Sequence, residues 1–210
     1  MTLLEFKFPR GAWRAAAGAL ALLSLGGCAA FVVGGAVGTA MVVTDRRTAG
    51  VQLEDQNIEL KSLTRIREAV GDRGHVSATS YNRMVLLTGE VSSEADRSAV
   101  EQAITRIENV RSTVNELAVM GASSMTARSN DTILTSKVKA SFIDAKDLHA
   151  GALKVVTERG VVYLMGRVTE READRATDLA RGVPGVQKVV KVFEILTEAE
   201  LAALGSENKK

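Results

Sequence analysis

Cysteine, histidine, proline and aromatic residues are all scarce in this chain. Its 210 residues include 1 Cys, 2 Pro, 2 His and only 4% aromatic side chains. A single cysteine excludes an intramolecular disulfide and a zinc site built from several thiolates. The two histidines, His75 and His149, lack the spacing of metal ligands, and we expect turn or surface positions for both. With so few rings, the core must be built from Val, Leu, Ile and Ala.

A strong excess of one charge sign is also absent. The formal net charge is +2, and three bases with one acid lie in the first 27 residues, so the rest of the chain is neutral. Proteins that bind nucleic acid normally carry a clear net basic charge, which disfavours that class. No paired carboxylates, histidine cluster or glycine-rich phosphate loop is present in the sequence, so nothing indicates an enzyme.

The N-terminal segment has the three-part layout of a secretory signal peptide. Basic residues come first, the apolar run 15–25 follows, and small residues precede the single cysteine. Leu25-Gly26-Gly27-Cys28 resembles the lipobox of bacterial lipoprotein precursors. The resemblance implies removal of residues 1–27 and attachment of N-acyl and S-diacylglycerol chains to Cys28. Ala29, in place of an Asp, implies sorting to the outer membrane of a Gram-negative cell.

An uncleaved transmembrane helix is the alternative for this segment. Residues 15–44 carry no charged side chain, and about 20 apolar residues are enough to span a bilayer. Gly34 and Gly38 have the spacing of closely packed membrane helices. The glycine pairs that interrupt the run and the position of Cys28 favour the lipoprotein.

Two copies of one sequence unit fill most of the remaining chain. MVLLTGEV at residues 84–91 aligns with VVYLMGRV at 161–168, and Glu-Ala-Asp-Arg at 94–97 recurs at 172–175. Matching blocks in the same order indicate a duplicated domain. The predicted boundaries are 1–27 for the signal peptide, 28–50 for the lipidated cysteine and tether, 51–119 for the first domain, 120–129 for a linker, 130–197 for the second domain and 198–210 for a C-terminal tail.

Each unit has the pattern helix, strand, strand, helix, strand. The first helices are predicted over residues 55–70 and 131–145, with Asp55 and Asp131 as N-caps. Asn82 and Gly160 suit the positive φ of a tight turn between the first two strands. The strand–helix–strand connection favours parallel pairing through a right-handed crossover. We therefore predict an α+β fold of two αββαβ domains, each a three-stranded mixed sheet packed against two helices.

The two units resemble the BON domain family. The resemblance covers residues 51–196 and rests on the first helix, the Val-rich strands ending at Gly89 and Gly166, the Glu-Ala-Asp-Arg helix and the final Val-x-x-x-Val strand. With the lipobox, the chain is similar to outer-membrane lipoproteins that carry two BON domains. This implies no catalysis and no cofactor besides the lipid on Cys28. It also implies binding of anionic phospholipid by the second domain and a role in envelope integrity, cell division and the stress response.

The distribution of charge is consistent with lipid binding by the second unit. Residues 51–119 hold 8 basic and 11 acidic side chains, whereas residues 128–196 hold 12 basic and 9 acidic ones. Basic residues close to an anionic leaflet contribute about 1 kcal/mol each. Phosphatidylglycerol and cardiolipin are the anionic lipids that we expect as partners, and nucleic acid is not expected.

The first helix of the second unit contains the predicted lipid site. At 100° per residue Ile143 points away from the core face, between Lys139 and Lys146. An outward apolar residue with flanking lysines is typical of a shallow membrane contact. Ile133 and Lys137 border the core face, and Ile133 stands where the family places an aromatic residue. The predicted phospholipid-binding residues are Ile133, Lys137, Lys139, Ile143 and Lys146.

A protein adaptor is the alternative function. Single exposed apolar residues are common, and Ile143 could instead pack against the first unit. The acidic first unit, or the surface between the units, would then bind outer-membrane assembly proteins or division-envelope proteins. The repeated Glu-Ala-Asp-Arg motif is interpreted as a solvated helix face, without chemistry of its own.

Overall fold

The structure, a computed structural model, describes residues 45–207 of the chain. The predicted signal peptide, Cys28 and most of the predicted tether lie outside the described residues. None of the helices within residues 45–207 combines the length and the apolar composition needed to cross a membrane.

The described residues form two repeats with the predicted order of elements. The first repeat contains α1 (Ala49–Val70), β1 (Gly74–Tyr81), β2 (Met84–Val91), α2 (Glu94–Thr105), β3 (Ser112–Asn115) and β4 (Ala118–Val119). The second repeat contains α3 (Met125–Asp144), β5 (Leu153–Glu158), β6 (Val161–Val168), α4 (Glu170–Arg181) and β7 (Lys188–Ile195). A further helix, α5 (Glu198–Glu207), lies where the sequence predicted a tail. The last strand of the first repeat is split in two, so its sheet has four strands rather than three.

Each repeat is built around a central strand with mixed pairing. In the first sheet β2 pairs antiparallel with β1 and parallel with β3 and β4. In the second sheet β6 pairs antiparallel with β5 and parallel with β7. The α2 and α4 connections therefore make the predicted parallel crossovers. This confirms the α+β fold with two mixed sheets.

The central strands are buried on both faces because each sheet is covered on both sides. Successive side chains of a strand point to opposite faces. In β2, Val85 and Leu87 pack against the helices of the first repeat, while Leu86 faces the other way. In β6, Val162 and Leu164 pack against the helices of the second repeat.

The two sheets pack against each other and join the repeats. Their shared core consists of Tyr81 and Leu86 from the first repeat and Tyr163, Met165 and Val192 from the second. The layers therefore run helices, sheet, sheet, helices, with α1 and α3 in opposite outer layers. The surface between the two units is a buried core. It is therefore not available to a partner protein, as one form of the adaptor hypothesis required.

The prediction that Asp55 and Asp131 are helix N-caps is wrong. Helix α1 begins at Ala49 after the N-cap Thr48, and α3 begins at Met125 after the N-cap Ser124. Each cap side chain accepts a hydrogen bond from a backbone N–H three residues later. Both aspartates lie inside their helices, and both are buried.

The two aspartates instead hold the hairpin turns. Asp131 accepts hydrogen bonds from the backbone N–H of Arg159 at 2.7 Å and of Gly160 at 2.8 Å. Asp55 accepts the corresponding bonds from Asn82 at 2.8 Å and from the next residue at 2.7 Å. The turn residues have positive φ, as expected for a two-residue hairpin loop, which confirms the prediction for Asn82 and Gly160.

Candidate lipid-binding surface

Helix α3 separates its apolar residues between the core and the solvent. Leu134, Val138 and Phe142 are buried, as their helical spacing predicted. Ile133 and Ile143 are 55% and 61% exposed, so neither packs against the first repeat. This excludes the alternative that Ile143 packs against the first unit. Single exposed apolar residues are common, so the exposure of Ile143 does not by itself identify a ligand.

The lysines predicted to bind lipid have no partner in the described part of the chain. Lys137, Lys139 and Lys146 are exposed, and none forms an ion pair or side-chain hydrogen bond with residues 45–207. Two other lysines of the second repeat form ion pairs: Lys154 contacts Glu59 at 2.8 Å, and Lys191 contacts Asp174 at 2.7 Å. Lys188 on β7 also has no partner among the described residues, so three of the four unpaired lysines of this repeat lie on or just after α3.

The five predicted residues lie on two flanks of the exposed surface. Ile133 and Lys137 line one side of a shallow cavity of about 510 Å³. Ile143, Lys139 and Lys146 lie outside this cavity, and Lys146 follows the end of α3 at Asp144. The structure therefore brings Ile133 and Lys137 together but does not join all five residues into one pocket.

The cavity beside α3 suits an anion better than a cation. Its charged lining consists of Lys137, Arg159 and Asp131. Both oxygens of Asp131 already accept backbone hydrogen bonds from the turn, so that carboxylate is satisfied. Pro184 and Gly185 close the opposite side. A headgroup phosphate in this cavity would meet the Lys137 ammonium and an apolar wall, whereas the Arg159 guanidinium already contacts Glu90.

Helix α1 carries an exposed apolar stripe that the sequence analysis did not identify. Leu53, Leu60 and Leu63 are 59%, 64% and 59% exposed. Their positions put them on neighbouring parts of the helix surface, away from the buried Ile58 and Ile66. A helical wheel of residues 49–70 could have found the stripe. Because α1 and α3 lie in opposite outer layers, one flat bilayer cannot contact both.

The Glu-Ala-Asp-Arg motif is not simply a solvated helix face. Glu172 is buried at the start of α4, where it completes a capping box with Thr169. Arg46 donates to both carboxylate oxygens of Glu172, each at 2.7 Å. In the first repeat Asp96 is also buried, and Arg73 donates to it at 2.9 Å.

The ion pair strongly favours the charged form of Glu172. Burial alone would raise its pKa, but hydrogen bonds from Arg46 and the backbone of Thr169, with the Arg46 and His149 charges, lower the pKa to about 2. Arg46 also donates to the carbonyl oxygen of Arg167 at 2.8 Å. The first described residues of the chain are therefore held by both repeats, since the next residue, Arg47, donates to Asp55 at 2.8 Å.

The two histidines occupy different environments. His149 is exposed, which agrees with the prediction. His75 lies in β1 rather than in a turn, and its Nδ1 is buried without a hydrogen-bond partner in the described structure. His75 is therefore not a turn residue, but with 31% of its side chain exposed it lies partly at the surface.

Comparison with known families agrees with the geometry. The profile of the BON domain matches residues 54–121 and residues 130–197, one match for each repeat. The chain belongs to the BON domain family. Each repeat is thus one BON domain, and α3 is the first helix of the second BON domain.

Named proteins are similar to much of this chain. The chain is 37% identical to outer membrane lipoprotein DolP of Haemophilus influenzae, over 84% of this chain and 92% of that protein. It is 28% identical to a 21 kDa hemolysin of Actinobacillus pleuropneumoniae, over 71% of this chain and 78% of that protein. It is 29% identical to osmotically-inducible protein Y of Escherichia coli, over 60% of this chain and 66% of that protein. None of these names describes a catalysed reaction.

The first of these similarities assigns the chain to a cellular location. It extends over nearly the whole length of a lipoprotein named for the outer membrane. The chain is therefore an outer-membrane lipoprotein with two BON domains, as the N-terminal sequence and the repeat predicted.

Proposed function

We propose that the protein is a non-catalytic lipoprotein, anchored in the outer membrane by lipid on Cys28, whose second BON domain binds anionic phospholipid at the periplasmic face. The observation that carries this proposal is the surface of α3. Two exposed isoleucines, Ile133 and Ile143, lie among lysines without partners. We propose that this contact supports envelope integrity, including at the division site.

The expected energies are those of a weak, reversible contact. Each lysine close to an anionic leaflet contributes about 1 kcal/mol. Full burial of an isoleucine side chain contributes about 1.5–3 kcal/mol, and shallow insertion contributes part of that. The cost of association opposes both contributions. The surface of α3 therefore acts best when an anchor already holds the domain near the membrane.

The ion pair of Arg46 supports the idea that the lipid on Cys28 holds the α3 surface near the membrane. Residues 29–44 connect the proposed lipid on Cys28 to the described chain, and a segment of this length reaches at most about 50–60 Å. Arg46 is bound to Glu172 on α4 and Arg47 to Asp55 on α1, so the tether ends at contacts with both BON domains. A tethered second site has a high effective concentration at the same membrane.

Vesicle co-sedimentation tests lipid binding directly. A soluble form, residues 29–210, is mixed with vesicles of phosphatidylglycerol, of cardiolipin mixed with phosphatidylcholine, or of phosphatidylcholine alone. We expect binding only to the anionic vesicles, with a marked decrease at high salt because the lysine contacts are screened. Equal binding to phosphatidylcholine, or no binding to any vesicle, contradicts the proposal.

A protein adaptor is the second candidate, and the leucine stripe of α1 favours it. Leu53, Leu60 and Leu63 lie on the acidic first repeat, in the layer opposite α3. A partner protein of the outer-membrane assembly or division machinery could dock there while α3 contacts lipid. Leu60→Asp should then abolish crosslinking to one dominant envelope protein while vesicle binding stays unchanged. If no crosslinked partner depends on Leu60, the adaptor hypothesis fails.

A further inference from the structure

Three side chains with metal-binding chemistry meet at the junction of the two BON domains. His75 in β1 lies directly opposite Glu90 in β2, so both project to the same face of the first sheet. Glu158 reaches them from the end of β5 in the second repeat. One ligand atom from each residue lies within 4.8 Å of the other two.

Two atoms of this cluster are buried without hydrogen bonds to any described residue. Glu90 has no solvent exposure, yet its Oε1 accepts no hydrogen bond. The Nδ1 of His75 is likewise buried and unpaired, 3.6 Å from the other Glu90 oxygen, Oε2. That Oε2 accepts a bond from the Ser123 backbone at 3.2 Å, which fixes the orientation of the carboxylate. Buried polar atoms are normally satisfied, so the two orphaned atoms point to a missing ligand.

The balance of charged groups around the cluster also favours binding of a cation. Glu90 and Glu158 are both buried, and Asp131 lies close enough to add to their repulsion. Arg159 partly offsets this charge, with its Nη1 3.5 Å from Glu90 Oε1, and Arg128 also contributes. A divalent cation between the carboxylates would relieve this repulsion.

The His75 side of the cluster borders a cavity that is open to solvent. A cavity of about 400 Å³ is lined by His75, Met120 and Arg128, among others. The His75 side chain is 31% exposed, so one edge of the imidazole faces the cavity while Nδ1 faces the carboxylates. A cation could therefore approach the cluster from the side of His75, whereas Glu90 and Glu158 do not line this cavity.

We propose that His75, Glu90 and Glu158 bind one zinc-class divalent cation. An imidazole nitrogen with two carboxylates suits zinc and similar transition metals, whereas Mg²⁺ and Ca²⁺ prefer oxygen ligands alone. Three protein ligands leave a fourth position for water. Ligand atoms around tetrahedral zinc are about 3.3 Å apart, so the side chains must close by about 1–1.5 Å. Because Glu158 belongs to the second repeat, the ion would join the two BON domains.

Zinc titration of the soluble chain tests the proposal. The protein, residues 29–210 without a purification tag, is treated with EDTA and titrated with Zn²⁺ by isothermal calorimetry. We expect one equivalent to bind, with affinity reduced at least 10-fold in His75→Gln and Glu158→Gln. His149→Gln is the matched control, because His149 is the other histidine of the chain and should leave binding unchanged.

A stability measurement separates loss of the site from loss of the fold. Circular dichroism establishes that each variant is folded. At about 100 times the wild-type Kd, Zn²⁺ should raise the wild-type melting temperature by about 5–10 °C and that of Glu158→Gln by about half of this or less. The proposal is overturned if the wild type binds no zinc saturably, or if binding survives both substitutions. It is also overturned if His149→Gln abolishes binding, or if Mg²⁺ binds as tightly as Zn²⁺.

Discussion

Arg46 and Glu172 form a bidentate ion pair, with both nitrogen–oxygen distances at 2.7 Å, between the start of the described chain and the second BON domain. Both side chains are almost completely buried. Glu172 is also part of the capping box that begins α4. Its carboxylate therefore caps the helix and binds Arg46 at the same time. Removal of either partner leaves the other charge buried and unpaired, which is strongly destabilising.

The Glu172 carboxylate should make the protein sensitive to acid. Its pKa is about 2 in the folded protein and 4.5 as an ordinary value, so the unfolded chain takes up the proton first. The resulting stabilisation, about 2–3 kcal/mol, is complete above pH 5 and is lost as the pH falls from about 4.5 to 2. Chemical denaturation at a series of pH values measures this loss.

Two variants separate Glu172 from other carboxylates in that experiment. Glu172→Gln should lower stability at pH 7 and flatten the dependence between pH 4.5 and 2. Glu170→Gln, an exposed neighbour on the same helix, should leave the profile as in the wild type. An unchanged profile in Glu172→Gln would show that the ion pair contributes nothing to acid stability.

The buried aspartates should stabilise the hairpins that they contact. Asp131→Ala removes two hydrogen bonds to the turn at Arg159 and Gly160, and we expect a loss of about 2–4 kcal/mol. Asp144→Ala, at the exposed end of the same helix, should change stability by less than about 0.5 kcal/mol. Urea denaturation compares the two variants, and equal midpoints would refute the role given to Asp131.

The repeated glycine of the central strands should tolerate no side chain. A Cβ at Gly166 would lie 2.6 Å from the carbonyl oxygen of Ala152, and a Cβ at Gly89 would overlap that of His75. Gly166→Ala is expected to cost about 2–4 kcal/mol, since backbone must move. Gly121→Ala, where a Cβ meets nothing within 4 Å, is the control for thermal denaturation. Similar melting temperatures in both variants would contradict the close approach.

The contact between the sheets should make the two BON domains unfold together. Leu86 is fully buried in the shared core, so Leu86→Asp should cost more than about 3 kcal/mol and disturb both repeats. Leu53→Asp makes the same change at an exposed position of α1 and should be nearly neutral. Calorimetry should give one transition for the wild type. Two separate wild-type transitions would show that the shared core does not couple the repeats.

Local sequence pattern predicted the elements and much of the α3 surface. The internal repeat predicted the order of helices and strands, and residue type predicted the turns at Asn82 and Gly160. The helical spacing of 100° per residue correctly predicted that Ile143 is exposed to solvent. These features depend on short-range spacing. Burial of the second face of each central strand depends on the other sheet, and spacing within one strand cannot identify that sheet as the cover.

The errors involve contacts between residues far apart in the chain. Asp55 and Asp131 were predicted as N-caps because aspartate is common at that position. Their actual partners are backbone N–H groups of the hairpin turns, 27 and 28 residues later in the chain. Likewise, nothing local shows that Glu172 meets Arg46, or that His75 faces a carboxylate from the second repeat. Such pairs follow from sheet packing, and spacing within one element carries no information about them.

Binding of anionic vesicles by matched variants is the most direct test of the central claim. Ile143→Asp and Lys139→Glu change the α3 surface, while Leu60→Asp and Lys61→Glu make the same changes on α1 in the opposite layer. Reversal of one lysine should weaken binding about 10- to 30-fold, because about 2 kcal/mol of attraction is lost. We predict that phosphatidylglycerol co-sedimentation is lost in the two α3 variants and retained in the two α1 variants. Equal binding by all four, or loss only in the α1 variants, would contradict lipid recognition by α3.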